Sequence, residues 1–269
     1  MAEDQPSREI DPEVPHSARI WNYWLGGKDN YEADRRVGDQ ISRDVFPGII
    51  NTARQDRAFL GRAVHYLVEQ AGVRQFLDIG TGLPTVDNTH EVAQSIAPEC
   101  KIVYVDNDPL VLAHAAALLT ARPPGVATYV DADLDDPGAI IAAAARTLDL
   151  TRPVAIMLLG IMHFVADDDR AGEILRLLLD AVPPGSHIAI AHATEDLVDA
   201  DQVRANIELW NEHGTPKMRS RTRAEILRLF DGLELVEPGV VSYSRWRPPH
   251  SPFGRPDLVP GLCGVGRKP

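Results

Sequence analysis

Gln75-Phe76-Leu77-Asp78-Ile79-Gly80-Thr81-Gly82 is the stretch that decides the fold. A short apolar run carries an acid near its end and then breaks into Gly-x-Gly, as a strand does when it stops in a sharp turn. Glycine at both turn positions lets the backbone pass close beneath a ligand that a Cβ would exclude. Downstream, Lys101–Val105, Ala127–Val130, Pro153–Leu159 and His187–Ala191 read as four more short strands. Asp108-Pro109 supplies an N-cap and a first helical position, and another helix is expected from about Asp168 to Ala181. Helices near Val198–Glu212 and Arg223–Phe230 precede two last strands, Leu233–Val236 and Leu262–Gly266, with a Pro- and Gly-rich loop between these from Arg247 to Gly261. Strands alternating with helices predict an α/β fold whose seven-stranded, mostly parallel sheet is covered on both faces.

Upstream of Gln75 the pattern is helical. Residues 1–15, rich in Pro, Glu and Asp, are expected to be a disordered tail, and residues 16–72 an N-terminal helical extension ahead of the sheet domain at 73–269. In Ser17–Tyr31 the pairs Ile20/Trp24 and Trp21/Leu25 stand four apart, and Gly26-Gly27 ends the run. Tyr31–Phe46 and Ile49–Ala71 read as two further helices, the second with Phe59, Leu60, Ala63, Val64 and Leu67 at helical spacing.

With 27 Lys and Arg against 39 Asp and Glu the chain carries a net charge of −12, which disfavours a nucleic-acid partner. The densest basic stretch, Lys217–Arg228, reads as a solvated helix face. No apolar run reaches the roughly 18 residues of a membrane span, and the longest, Pro153–Val165, is interrupted by Gly160 and His163. The first fifteen residues hold no apolar leader segment. Two cysteines, Cys100 and Cys263, suggest neither a disulfide framework nor a metal site, so a cytoplasmic protein without a metal is expected.

Three acids fall at successive strand ends: Asp78, Asp106 and Asp133. Ligand sites in open α/β sheets lie along this carboxyl edge. There Asp78 can accept from a cationic amine, Asp106 from ribose hydroxyls and Asp133 from an adenine amino group. Each of the latter two is alternatively a cap for the helix that follows. A dinucleotide site wants a third glycine opening the helix, whereas Pro84-Thr85 stand here, and Asn88 with Glu91 resembles a capping box that starts the helix late.

Asp78–Gly82, Val103-Tyr104-Val105-Asp106 and Asp131-Ala132-Asp133-Leu134 resemble the S-adenosylmethionine (SAM) motifs of class I methyltransferases. Ser17–Tyr31, Gly80–Thr85 and Val105–Pro109 resemble, more narrowly, an actinobacterial family of S-adenosyl methyltransferases first catalogued as a domain of unknown function. The resemblance implies a Rossmann-like sheet with an antiparallel last strand and SAM as cofactor. It implies Asp78, Gly80 and Gly82 near the methionine moiety, Asp106 at the ribose and Asp133 near adenine, with Thr81, Asn107, Leu134 and Gly160 also among the cofactor-binding residues. It names no methyl acceptor; a small molecule is expected. A SAM-binding sensor without transfer activity and a nicotinamide-dependent oxidoreductase are the alternatives.

Methyl transfer from a sulfonium needs alignment and desolvation, and a base only when the acceptor must lose a proton. His163, just past the fourth strand, is the candidate base, and its other reading is a packed, satisfied histidine; His192 is a weaker candidate. The segment before the sheet is read either as a lid, with Asn22 and Tyr23 donating to the methionine carboxylate, Lys28 adding charge and Trp21 or Trp24 excluding water, or as a helix packed on the sheet domain. Asp167-Asp168-Asp169 reads as the acidic start of a helix.

Overall fold

The computed structural model describes residues 10–118, 124–214, 216–252 and 254–269. Most of the tail expected at 1–15 therefore lies outside the described residues. Residues 10–15 lie inside them, and the Arg19 guanidinium holds them by donating to the carbonyls of Asp11 (3.1 Å) and Val14 (2.9 Å).

Eight strands form one sheet among the described residues: β1 (Gln75–Ile79), β2 (Lys101–Asp106), β3 (Val126–Asp131), β4 (Ala155–Leu159), β5 (His187–Ala193), β6 (Glu234–Leu235), β7 (Val241–Ser242) and β8 (Gly261–Arg267). Their order is β3-β2-β1-β4-β5-β8-β6, with β7 also paired to β8. β1 to β5 are parallel, and β8 enters antiparallel between β5 and β6. This is the mostly parallel sheet with an antiparallel last strand that the resemblance implies. β7, two residues long, adds an eighth strand to the seven expected.

The helices are α1 (Ser17–Trp24), α2 (Glu32–Gln40), α3 (Ile49–Glu69), α4 (Thr89–Ile96), α5 (Pro109–Leu118), α6 (Pro137–Ala144), α7 (Asp168–Asp180), α8 (Ala200–His213) and α9 (Arg223–Arg228). The single helix expected over Tyr31–Phe46 is α2 followed by a π-helical turn, Ile41–Val45. The helix at α6, capped by the Asp136 carboxylate on the Ala139 amide, has no counterpart in the sequence reading.

The period-two alternation of a strand places the site. Leu77 and Ile79 of β1 pack with Val103, Val105, Ile156 and Leu158 against α6 and α7. Phe76, on the opposite face, packs with Ile102, Tyr104 and Met157 against Phe59, Ala63 and Leu67 of α3 and Val92 of α4. Asp78 shares the face of Phe76, so its carboxylate meets α4, where the Thr89 hydroxyl donates to it at 2.6 Å. The first half of α3 packs instead with α1, the π turn and α8, around Ile20, Trp24, Phe46, Ala53 and Trp210. α3 thus belongs to both the sheet layer and the helical layer before it.

Candidate cofactor site

A cavity of about 540 Å³ opens along the carboxyl ends of β1, β2 and β4. Asp78, Gly80, Thr81, Gly82, Asp106, Asn107, Asp133, Leu134, Gly160, Asn22 and His163 all line it.

The glycine turn is built for close approach. Gly80 has φ +74° and Gly82 φ +64°, backbone conformations that side chains rarely tolerate. A Cβ on Gly80 would stand 2.7 Å from the Ile161 side chain, while one on Gly82 would meet only the Ala18 Cβ at 3.9 Å. Space and φ both demand glycine at 80; φ alone demands it at 82. The Gly82 amide donates to the Asp106 carboxylate at 2.8 Å, which ties the turn to the end of β2.

Each carboxylate has its own surroundings. Burial pushes the Asp78 carboxyl up to about 6, although the Thr89 hydrogen bond and the nearby Arg57 charge pull it down. Burial likewise raises Asp106, opposed by the Asp108 and Gly82 amides that donate to it. Asp133 accepts from the Asn107 amide group (2.8 Å) and the Asp135 backbone (3.0 Å). It lies two residues beyond the end of β3, whose last residue is the exposed Asp131, so the third acid enters the cavity from a loop rather than from the strand.

The N-terminal segment covers this edge. His16, Ser17, Ala18, Trp21 and Leu25 line the cavity with Ile10, Asp11 and Val14. His16 Nδ1 stands 2.7 Å from Asp108 Oδ2, and Arg19 Nε lies 3.9 Å from the same oxygen. Burial pushes the Asp108 carboxyl up, but His16, the Leu110 amide and Arg19 outweigh it and hold the group below the usual carboxylate range.

Within α1 the two residues read as cofactor donors part ways. Asn22 lines the cavity, but its Oδ1 accepts from the Asp29 amide (3.2 Å) and from Asn30 (3.0 Å), clamping the loop after α1. Tyr23 is absent from the cavity wall, and its hydroxyl donates to Asp39 of α2 at 2.7 Å. Lys28 is exposed and also outside the wall. Arg57 of α3, which the sequence reading passed over, lines the cavity; its guanidinium is fixed by donation to Val86 O (3.0 Å) and Asn88 Oδ1 (3.0 Å).

His163 sits in the 3₁₀ turn Met162–Phe164 after β4, its ring against Phe164 and His192. Burial, with the His192 and Arg221 charges, drives its pKa well below the ordinary 6.5, so the ring is neutral. Its Nδ1 is buried without a hydrogen-bond partner, unlike the satisfied histidine of the alternative reading. His192 is the satisfied one. Arg221 donates to its Nε2 at 2.9 Å, which leaves Nδ1 to carry the proton toward Ala193 O at 2.7 Å. Its accepting nitrogen is taken, and it is no base.

Fully buried Arg221 also donates to Met162 O (2.8 Å), Val165 O (2.7 Å) and Asp168 (2.9 Å), so one side chain fastens the whole turn that carries His163. Asp168 is therefore paired, and Asp167 caps α7 by accepting from the Arg170 amide, as the acidic-start reading expects.

A second chamber of about 80 Å³ lies beyond His163 and shares Ser17, Trp21, Gly160, His163 and Phe164 with the first. Trp24, Phe46, Trp210, Asp56 and Asn206 are among its other walls.

The profile of the S-adenosyl methyltransferase family matches residues 3–269. The chain belongs to that family. Its cofactor is SAM, its activity is SAM-dependent methyl transfer, and the nicotinamide alternative falls away. A crystal structure of a DUF574 family protein from Streptomyces avermitilis is 45% identical, covering 97% of this chain and 100% of its own, with a TM-score of 0.92. A second, from Thermobifida fusca, is 39% identical over 95% of this chain and 96% of its own, with a TM-score of 0.85. No protein of curated function matches the chain. Among the described residues no helix is long and apolar enough to cross a membrane, and no group of His, Cys, Asp and Glu could hold a metal ion.

Proposed function

We propose that this S-adenosyl methyltransferase acts on a small-molecule acceptor, with cofactor and acceptor in adjoining chambers under the N-terminal segment. One observation carries the reading: acids from the ends of β1 and β2 and from the loop after β3 converge on one cavity that α1 covers. The residues fit SAM, since the glycine turn leaves room where a Cβ would collide and the donor set suits a zwitterionic nucleoside. Bound SAM supplies an electrophilic methyl on a sulfonium.

In this reading ionised Asp78 receives the ammonium, and Arg57, a fixed cation on the same wall, balances the methionine carboxylate. Asp106 has lone pairs left for the ribose after serving the Gly82 and Asp108 amides. Asp133, already oriented by Asn107, and Leu134 flank the adenine. Trp21 lines both chambers and excludes water, the role left for the segment as a lid. His163, also on both walls, offers a neutral accepting nitrogen when the acceptor must give up a proton.

The acceptor side measures about 80 Å³, which suits a small molecule rather than a polymer end. Two of the basic residues in Lys217–Arg228, Arg219 and Arg221, are engaged in ion pairs with Asp168 and Glu225, which supports leaving nucleic acid aside. Two free buried thiols, Cys100 and Cys263, suit the reducing cytoplasm. Calorimetry with SAM and S-adenosylhomocysteine, followed by transfer of a labelled methyl group from SAM into fractions of a small-metabolite extract, tests the proposal. Binding with label appearing in a low-mass product is expected; label appearing only in protein or nucleic acid would overturn it.

A further inference from the structure

The chamber beyond His163 holds a chemistry that the cofactor does not use. Three of its lining residues carry a buried polar atom without a hydrogen-bond partner among the described residues: His163 Nδ1, Asp56 Oδ1 and Asn206 Oδ1. They arrive on three separate elements, the turn after β4, α3 and α8. Buried polar groups are nearly always paired, so three unpaired ones on residues that line a single space point to a missing partner.

The character of that partner follows from what the walls offer. Thr52 Oγ1 is engaged with Gly48 O, and the indole N–H groups of Trp24 and Trp210 donate to the carbonyls of Gly38 and Pro216. The donors of Thr52, Trp24 and Trp210 are thus engaged, and these side chains give the chamber apolar and π surface. The open oxygens of Asp56 and Asn206 are acceptors. Among the described residues Asp56 forms no ion pair, and burial pushes its carboxyl up to about 7 against the pull of Arg57. The chamber thus combines three tryptophans, a carboxylate that lacks a cation and an amide oxygen that lacks a donor.

Resting on the methyltransferase reading and extending it, we infer that this chamber recognises the methyl acceptor and that the acceptor is a small apolar or aromatic amine. Its amino group sits against Asp56 and Asn206, and its hydrocarbon body sits among the tryptophans; an amine that enters as ammonium first gives a proton to the Asp56 carboxylate or to His163, and the freed nitrogen lone pair then takes the methyl as the sulfonium leaves as thioether. Asp56 and Asn206 are specificity residues and His163 the neighbouring proton acceptor.

The test is binding of matched pairs to the full chain saturated with S-adenosylhomocysteine: isobutylamine, benzylamine and phenethylamine, each against the alcohol of the same skeleton, followed by tryptophan fluorescence and calorimetry. At least one amine is expected to bind at least tenfold more tightly than its alcohol. That preference should vanish in Asp56→Asn and weaken in Asn206→Leu, with S-adenosylhomocysteine affinity changed less than twofold in both. Equal binding of amine and alcohol, no binding of either, or a preference that survives Asp56→Asn would overturn the inference; the Asn206→Leu arm decides if the Asp56 variant does not fold. Failure of S-adenosylhomocysteine to bind the unaltered chain would instead sink the proposed cofactor site, so the two failures are distinguishable.

Discussion

The Asp78 carboxyl makes cofactor affinity depend on pH in a calculable way. Burial lifts it from the ordinary 3.8 to about 6, so protonation of the folded apoprotein removes a charge that the SAM ammonium requires. The cofactor's own amino group titrates near the usual α-amino value of about 8, so between pH 5 and 7 only the protein side changes. At pH 7.5 nearly all molecules carry the carboxylate, whereas at pH 5 about one in eleven does, and affinity should fall about tenfold, or about 1.4 kcal/mol. Thr89 donates to the same carboxylate and keeps it oriented across the range. Calorimetric titration of SAM at half-unit steps, with circular dichroism to confirm folding at each pH, gives the curve. Asp78→Asn should bind SAM at least thirtyfold more weakly at pH 7.5, the loss of about 2 kcal/mol or more that follows removal of one partner from a buried charged pair. It should also lose the slope. A flat curve for the unaltered chain, or an unchanged slope in Asp78→Asn, would refute the reasoning.

Four other outcomes follow from the geometry. Gly80→Ala adds a Cβ 2.7 Å from Ile161 at φ +74°, so a loss of about 2–4 kcal/mol is expected in urea unfolding, together with weaker SAM binding. Arg221→Met strands the carbonyls of Met162 and Val165 and frees the His163 turn; about 2–4 kcal/mol of stability should go, with a larger fall in kcat than in SAM affinity. For Asp56 the sign is opposite. A carboxyl whose folded value rises from 3.8 to about 7 weighs against folding increasingly across that window and fully above it. Asp56→Asn should therefore stabilise the ligand-free protein at pH 8 by up to about 4 kcal/mol, read as a higher melting temperature that converges with the unaltered chain near pH 4. Tyr23→Phe should leave the SAM dissociation constant unchanged and cost about 1 kcal/mol of stability, because Asp39 alone loses a partner.

Much of the frame was legible because strands in a covered parallel sheet are short apolar runs bounded by glycine and proline, and β1, β2, β4 and β8 have that form. α6 escaped because Pro137–Ala144 is apolar all round and shows no face to a periodicity test, and β7 is too short to register. At the site, the glycine turn and the acids could be read since backbone geometry demands them. Tyr23 gives no sign in the sequence that its hydroxyl is engaged by Asp39, sixteen residues away on α2. Asp56 and Arg57 were overlooked in a helix read for its packing, yet the signal was present. Asp56 falls on the stripe of Thr52, Ala53, Phe59, Leu60 and Ala63, where every other position is apolar or small. A lone acid in that row had to be serving something. Asn206 gave no such signal, because its importance depends on α8 meeting α3 across the chamber.

The place of β8 has a consequence for how the molecule is made. Residues 261–267 lie inside the sheet, hydrogen-bonded to β5 along its whole length, yet about 70 residues separate the two strands. Until that segment emerges from the ribosome, His187–Ala193 is a bare, buried-type edge of Ile and Ala, ready to pair with any other extended chain. The edge of β5 therefore stays uncovered until a strand made about 70 residues later arrives, and loss of residues 261–267 should promote aggregation.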